Sequence, residues 1–191
     1  MKFKIQSINI SAQKGELKLP VKAAVLNSEG IAKDDHRGDW LRQVSLLAQE
    51  EIEKFSAKFG QDFKYGEFAE NITTLGIDFR KTKILDILEN ENVSLMITQK
   101  GKKCHGGDCA VFQQVGHCVM PKEGIFAKVI KSGKIKVEDE LEYKPKVFKI
   151  AVITLSDRAS RGEYEDLSGP AIQKLTEEYF ASIDRLCKCE K

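Results

Sequence analysis

No stretch of the chain approaches the roughly eighteen consecutive apolar residues that a membrane-spanning helix requires, so nothing in it reads as a transmembrane segment. The N-terminal MKFKIQSINIS alternates apolar and polar residues. It lacks the apolar core and small-residue cleavage site of a secretory leader, which makes the cytoplasm the expected location. Charge of one sign is lacking too. The 31 basic and 29 acidic side chains leave a net charge of +2, a balance that offers no electrostatic footprint for nucleic acid. There is no internal repeat and no low-complexity tract. The five cysteines are an odd number, and in a reducing compartment they are expected as thiols rather than a disulfide frame. What is present is ordinary for a globular protein: 191 residues, 41% apolar and 31% charged, enough for one well-buried core and part of a second.

The hydrophobic pattern predicts a strand-rich first domain over 1–144. Phe3, Ile5, Ile8 and Ile10 mark a strand, with Ser11 to Gly15 as the following turn. Val21 to Leu26 is a second strand, and the polar stretch from Asn27 to Gly38 reads as a loop. Val44, Leu47, Ile52, Phe55 and Phe59 recur at helical spacing before Gly60, which predicts a helix over 43–59. Tyr65 to Thr74 is loop-like. Lys83 to Leu88 and Val93 to Thr98 read as strands around a Glu-Asn-Glu-Asn turn. Ile125 to Ile130, Lys134 to Val137 and Leu141 to Tyr143 read as further strands, with Ser132-Gly133 as a hairpin turn.

Pro145 lies in the best linker, Lys144 to Lys146, and the pattern then changes. Ile150 to Leu155 is the continuous apolar run of a strand buried on both faces. A polar loop and a helix beginning near Ser168-Gly-Pro follow, with Ile172, Leu175 and Tyr179 on one face. This is a strand–loop–helix unit over 145–191, the opening of an α/β domain. Its length is too short to close a doubly wound sheet, so the domain is expected to be truncated.

Three cysteines and two histidines fall within GKKCHGGDC and the GHCVMP that follows it: Cys104, His105, Cys109, His117 and Cys118. Three readings of the cysteines stand side by side. A zinc site is one, although zinc ligands usually come in two tight pairs and here the spacings are uneven. Reactive thiols are another, because Lys102, Lys103, His105 and His117 supply cations that favour a thiolate. Buried thiols acting as small apolar residues are the third. Before the expected helix, Asp34, Asp35, His36 and Arg37 form a polar knot in which His36 is either solvated or polarised. Arg42 sits at the expected helix N-terminus, where backbone N–H groups favour anions. Glu67, Glu70 and Asn71 lie in YGEFAENITT, which is compatible with simple turn chemistry. Lys128 and Lys131 read as solvated, and Asp157, Arg158 and Ser160 follow a strand end where α/β domains bind phosphate-bearing ligands.

Four ordered segments, DDHRGDWLRQVSLLAQE, GEFAENITTLGID, TQKGKKCHGGDC and MPKEGIFAKVIKSGKIKVEDELE, together resemble the MOSC domain, the family named after the C-terminal domain of molybdenum cofactor sulfurases. The resemblance covers roughly residues 1–143. It implies a mainly β, barrel-like fold with some α, and a cysteine that carries sulfur or ligates molybdenum. By position Cys109 is the best match for that cysteine and for a metal ligand, then Cys104, then Cys118. His36, Arg42, Asn71, Lys102 and His105 would bind the cofactor. Val137-Glu138-Asp139 departs from the Gly-Asp usual in the family. The segment KIAVITLSDRASRGEYEDLSGPAI resembles the opening of the molybdopterin adenylyltransferase family, whose later motifs have no counterpart here; adenylyltransferase activity is not expected.

The resemblance implies binding of the molybdenum cofactor (molybdopterin), or of a molybdenum ion, with sulfur or molybdenum handled through the reactive cysteine. At family level it also implies pyridoxal phosphate binding. Expected partners are the small-molecule pterin and a sulfur-donor or molybdoenzyme protein, with neither nucleic acid nor membrane. Two alternatives remain open: a non-catalytic carrier or scaffold for a molybdoenzyme, and a structural zinc module.

Overall fold

The computed structural model describes residues 1–13, 16–103 and 118–190. The chain divides into two compact units, Met1–Lys144 and Pro145–Lys191.

The first unit is mainly β. Strands β1 (Lys2–Ile10), β2 (Leu19–Val21), β3 (Ala23–Asn27), β4 (Gly30–Ile31) and β5 (Val44–Ala48) lead to helix α1 (Gln49–Phe59). Then come β6 (Ile72–Leu75), a 3-10 turn at Phe79–Lys81, β7 (Ile87–Glu89), β8 (Ser94–Lys100), helix α2 (Met120–Glu123), β9 (Ile125–Lys131), β10 (Gly133–Lys136) and β11 (Glu140–Lys144). Seven strands in the order β11-β7-β8-β9-β5-β6-β1 close into a barrel, because β1 pairs with β11 through Lys2↔Glu142 to Lys4↔Glu140. Strand β2 extends from the far half of β1, and β10, β3 and β4 form a separate three-stranded sheet.

Alternation along each strand decides what fills the barrel. Val44, Leu46 and Ala48 of β5, Ile125, Ala127 and Val129 of β9, and Phe3, Ile5 and Ile8 of β1 all belong to one buried core. The step from Ile5 to Ile8 is three residues rather than two, and a register shift between Ile5 and Ser7 against β6 absorbs the extra one. Leu47 and Phe126 point the other way. They join Ile52, Phe63, Phe68, Val119 and Met120 in a second apolar cluster outside the barrel wall. Helix α1 seats Ile52 there and stops at Gly60, whose φ of 63° supplies the left-handed C-cap.

Several sequence expectations are corrected. The segment 43–48 is strand, not the first turns of a helix. All five residues of β5 are buried, and a short segment covered on both faces, apolar but for Ser45, carries no clear period that distinguishes strand from helix. Tyr65 to Thr74 is not wholly loop, since Ile72–Leu75 pairs in parallel with β5 and antiparallel with β1. Asn27 to Gly38 contains a tight hairpin, Asn27↔Gly30. Ser132-Gly133 is a corner between sheets rather than a hairpin turn, because β10 pairs with β3. Glu138 occupies the left-handed region at φ 71°, the conformation for which glycine has no steric cost.

The second unit holds β12 (Val147–Ala151), helices α3 (Asp157–Ser160) and α4 (Ser168–Ser182), and β13 (Leu186–Glu190). The strand begins three residues earlier than the Ile150–Leu155 run, whose Ile153 and Leu155 are 79% and 93% exposed rather than buried on both faces. A closing strand that the pattern did not predict, β13, lies parallel to β12 from Val147↔Leu186 to Ala151↔Glu190. Phe148 stacks against Phe180 with ring centroids 5.1 Å apart, which fixes α4 on one face of this pair.

Candidate functional site

A buried polar node lies on the outer wall of the barrel. Its base is built from outward-facing residues of three strands. Asn71 Oδ1 accepts from Ser45 N (3.1 Å) and Ser45 Oγ (3.0 Å), while Asn71 Nδ2 donates to Asn9 O (3.2 Å). Glu70, fully buried, accepts through Oε1 from Gly66 N (2.6 Å) and Thr73 Oγ1 (2.9 Å). Its Oε2 has no partner among the described residues. Burial raises the pKa of this carboxyl against the opposing hydrogen bonds. The sequence GEFAEN is thus a clamp. Gly66 at φ 91° lies so close to the Lys18 carbonyl that a Cβ would stand 2.2 Å from its oxygen.

Above that base sits Lys18, whose side chain is 1% exposed. It pairs with Asp34, also 1% exposed, at 2.5 Å. Ser11 N donates to the same Asp34 oxygen at 3.0 Å, and His36 N to the other at 3.3 Å. Lys18 Nζ also lies 3.3 Å from His36 Nδ1. Burial alone would raise the Asp34 pKa, but the Lys18 hydrogen bond, the Ser11 N–H and Asn71 together bring it below its ordinary value. Burial lowers the pKa of Lys18, with Asp34 opposing. His36 is lowered too, first by burial, then by the Lys18 charge, with Lys102 contributing in the same sense. Gln43 holds the loop that carries Asp34 and His36, donating to Ser28 O (2.6 Å) and Gly38 O (3.1 Å).

The structure therefore brings together His36, Asn71 and Asp34 among the residues that stand out in the sequence, and the charge of Lys102 reaches the His36 ring. Lys102 is half-buried and its backbone N–H donates to Pro121 O at 3.3 Å. Lys18 and Asn9 do not stand out in the sequence, because a lysine in GELKLP and an asparagine in a strand look like surface residues. Arg42 is not at a helix N-terminus: α1 begins at Gln49 and Arg42 precedes β5. Its guanidinium lies 5.6 Å from the Trp40 ring and 5.9 Å from that of Phe126. Cys118 is half-buried and packs against the outer apolar cluster. Cys104, His105, Cys109 and His117 lie outside the described residues. Among the described residues no three His, Cys, Asp or Glu side chains converge as a metal site, and no helix is long and apolar enough to cross a membrane. Lys128 pairs with Asp39 at 3.3 Å. In the second unit Ser160 Oγ donates to Asp157 O at 2.8 Å and Arg158 lies over the Tyr164 ring at 5.2 Å.

A closed seven-stranded barrel carrying a polar node outside its wall defines a β-barrel module. Residues 33–142, more than half of the chain, match the MOSC domain model, and the chain belongs to the MOSC domain family. That family is associated with the molybdenum cofactor. Among solved structures, the YuaD protein from Bacillus subtilis is similar at a TM-score of 0.64 and 17% identity, over 76% of this chain and 98% of that one. YiiM from Escherichia coli is similar at a TM-score of 0.55 and 19% identity, over 82% of this chain and 72% of that one. YiiM from Geobacillus stearothermophilus gives 0.56 and 19%, over 74% of each chain. Curated protein sequences give no match.

Proposed function

We propose that the chain binds the molybdenum cofactor, or a molybdopterin precursor of it, beside the Lys18–Asp34–His36 node, with Cys109 as the thiolate that ligates molybdenum or carries sulfur. One observation supports this above the others: a buried ion pair, Lys18–Asp34, lies against the His36 ring, and Lys102, whose charge acts on that ring, precedes Cys104 by two residues in the chain. The donor set suits a phosphate-bearing heterocycle. Two buried polar atoms at the node, Ser11 Oγ and Asp35 Oδ2, have no partner among the described residues and could serve the heteroatoms of a pterin. The cofactor, when bound, supplies a molybdenum centre for atom-transfer chemistry.

The chain's own residues have separable tasks in this reading. Lys102 attracts the anionic group, and His36 meets it with a ring nitrogen. Asn71, Ser45 and Asn9 hold the wall on which Asp34 rests. The cations near it in the sequence, Lys102, Lys103, His105 and His117, favour the Cys109 thiolate, the form that both metal ligation and persulfide chemistry need. Cys104 is the second candidate for that role. Cys118 is the third, and its contact with the outer apolar cluster favours a packing role. For Pro145–Lys191 we propose kinship with the opening of the molybdopterin adenylyltransferase domain, supported by the parallel strand–helix–strand arrangement.

The test is elemental analysis of the purified protein for molybdenum and zinc, with fluorescence detection of oxidised pterin released on denaturation. Pterin is the expected result, reduced or stripped of metal and sulfur in Cys109→Ala. Pterin whose metal and sulfur content is unchanged in Cys109→Ala would establish a carrier instead. Stoichiometric zinc without pterin would overturn the cofactor reading in favour of a structural site.

A further inference from the structure

We propose that Lys18 and Asp34 lock the His36 ring with its proton on Nε2, so that the ring presents a fixed N–H donor to a phosphate-type oxyanion.

What each group can donate decides the tautomer. An ammonium has three donors and no acceptor. Lys18 Nζ lies 3.3 Å from His36 Nδ1 and 2.5 Å from Asp34 Oδ1. With both side chains of the pair 1% exposed, the ionised pair is neutral as a unit, whereas ionising one member alone would leave an uncompensated buried charge. Asp34 is the member held below its ordinary pKa, so Lys18 faces a carboxylate. The nitrogen of His36 facing the ammonium must then be an acceptor. The competing arrangement, Nδ1–H donating to Asp34 Oδ2, would need a hydrogen bond across 3.9 Å, which is too long.

A neutral ring with a bare Nδ1 carries its proton on Nε2. Four charged groups act on it: Lys18 from the segment before β2, Asp34 and Asp35 from its own loop, and Lys102 from the segment after β8. Burial and the two ammonium groups hold the ring neutral against the two carboxylates. An Nε2–H offers no lone pair, so this edge is not a metal ligand. It is a hydrogen-bond donor whose complement is an acceptor such as an oxyanion, and the Lys102 charge acts on the same ring. Lys18 is a positioning residue, acting through the ring. The inference rests on the cofactor reading only for the owner of the phosphate.

Long-range proton–nitrogen correlation spectra of the 15N-labelled full chain test it. The chain has three histidines, so His36→Gln identifies the His36 ring. At neutral pH the wild-type ring is expected with a bare Nδ1 and a protonated Nε2. In Lys18→Met it is expected as a mixture of tautomers that protonates at higher pH. Inorganic phosphate is expected to shift the wild-type Nε2 signal, with at least tenfold weaker binding in Lys102→Met. An Nδ1–H ring in the wild type, an unchanged tautomer in Lys18→Met, or an Nε2 signal unmoved by phosphate would each overturn the proposal. The wild-type spectrum and the phosphate titration decide even where Lys18→Met fails to fold. Pterin on a protein whose ring is Nδ1–H would defeat this inference and spare the cofactor reading. An Nε2–H ring that responds to phosphate on a pterin-free protein would do the reverse.

Discussion

Replacing Gly66 by alanine is expected to destabilise the barrel unit far more than the same change at Gly60. Both glycines adopt positive φ, 91° and 63°, so both substitutions incur left-handed strain of about 1–2 kcal/mol. Their surroundings separate them. A Cβ at Gly60 would meet nothing within 4 Å, whereas at Gly66 it would stand 2.2 Å from the Lys18 carbonyl oxygen and 2.9 Å from its carbon. That oxygen belongs to backbone and cannot swing aside, so an overpacking cost of about 1–3 kcal/mol is added. The total for Gly66→Ala is about 2–5 kcal/mol, a large part of the roughly 5–15 kcal/mol typical of a domain. With a urea m-value of about 2 kcal/mol per molar, the midpoint should fall by about 1–2.5 M. The single tryptophan, Trp40, lies in the first unit, so its fluorescence follows that unit's unfolding. Equal midpoint shifts for the two variants would refute the claim that the close approach to Lys18 matters. Refolding of Gly66→Ala with Lys18 displaced should also release His36, visible as a raised His36 pKa.

Breaking the enclosed ion pair by Lys18→Met is expected to cost about 3–5 kcal/mol, because it strands a buried carboxylate; a Lys18→Met/Asp34→Leu double variant more stable than Lys18→Met alone, by urea midpoint, checks that cause. Glu70→Gln should gain on the wild type as pH rises from the acid range to neutrality. The raised Glu70 pKa means that wild-type stability is full below the unfolded pKa and is lost as pH rises through the folded one. Midpoint differences that stay constant with pH would contradict it. Glu138→Gly should stabilise by about 1 kcal/mol by relieving the left-handed residue, since the exposed Lys4 contact it removes at 3.5 Å contributes little. In timed alkylation read by mass spectrometry, Cys109 is expected to react faster than Cys118, which is packed on the outer cluster; the opposite order would count against Cys109 as the reactive thiol.

Much of the barrel was legible because one-sided strands alternate. Phe3, Ile5, Ile8 and Ile10 announce β1 even though a bulge interrupts their spacing. β5 was not legible. Its inner residues fill the barrel and Leu47 feeds the outer cluster, so Val44 to Ala48 is apolar on both faces apart from Ser45 and merges with the helix behind it. In the second unit the Ile150–Leu155 run suggested burial, but local composition does not say which residues a neighbouring element will cover. The candidate site divides the same way. His36, Asn71 and Lys102 stood out by residue type within recognisable segments. Lys18 could not, since only the tertiary approach of Gly66 and Asp34 makes a buried cation of an ordinary lysine. Asn71 was legible as a residue but not as a wall clamp, a role that requires β1, β5 and β6 side by side.

The pairing of β1 with β11 has a consequence for synthesis. The barrel's first strand finds its last neighbour about 140 positions later, at Lys2↔Glu142. On a ribosome the chain therefore makes every group of the polar node before it can close the wall that supports them. Until the final strand emerges, one edge of β1 is a row of unpaired donors and acceptors, open to pairing with another chain. Native structure here is gated by the end of translation of the unit, and crowded nascent chains would compete with β11 for the same edge.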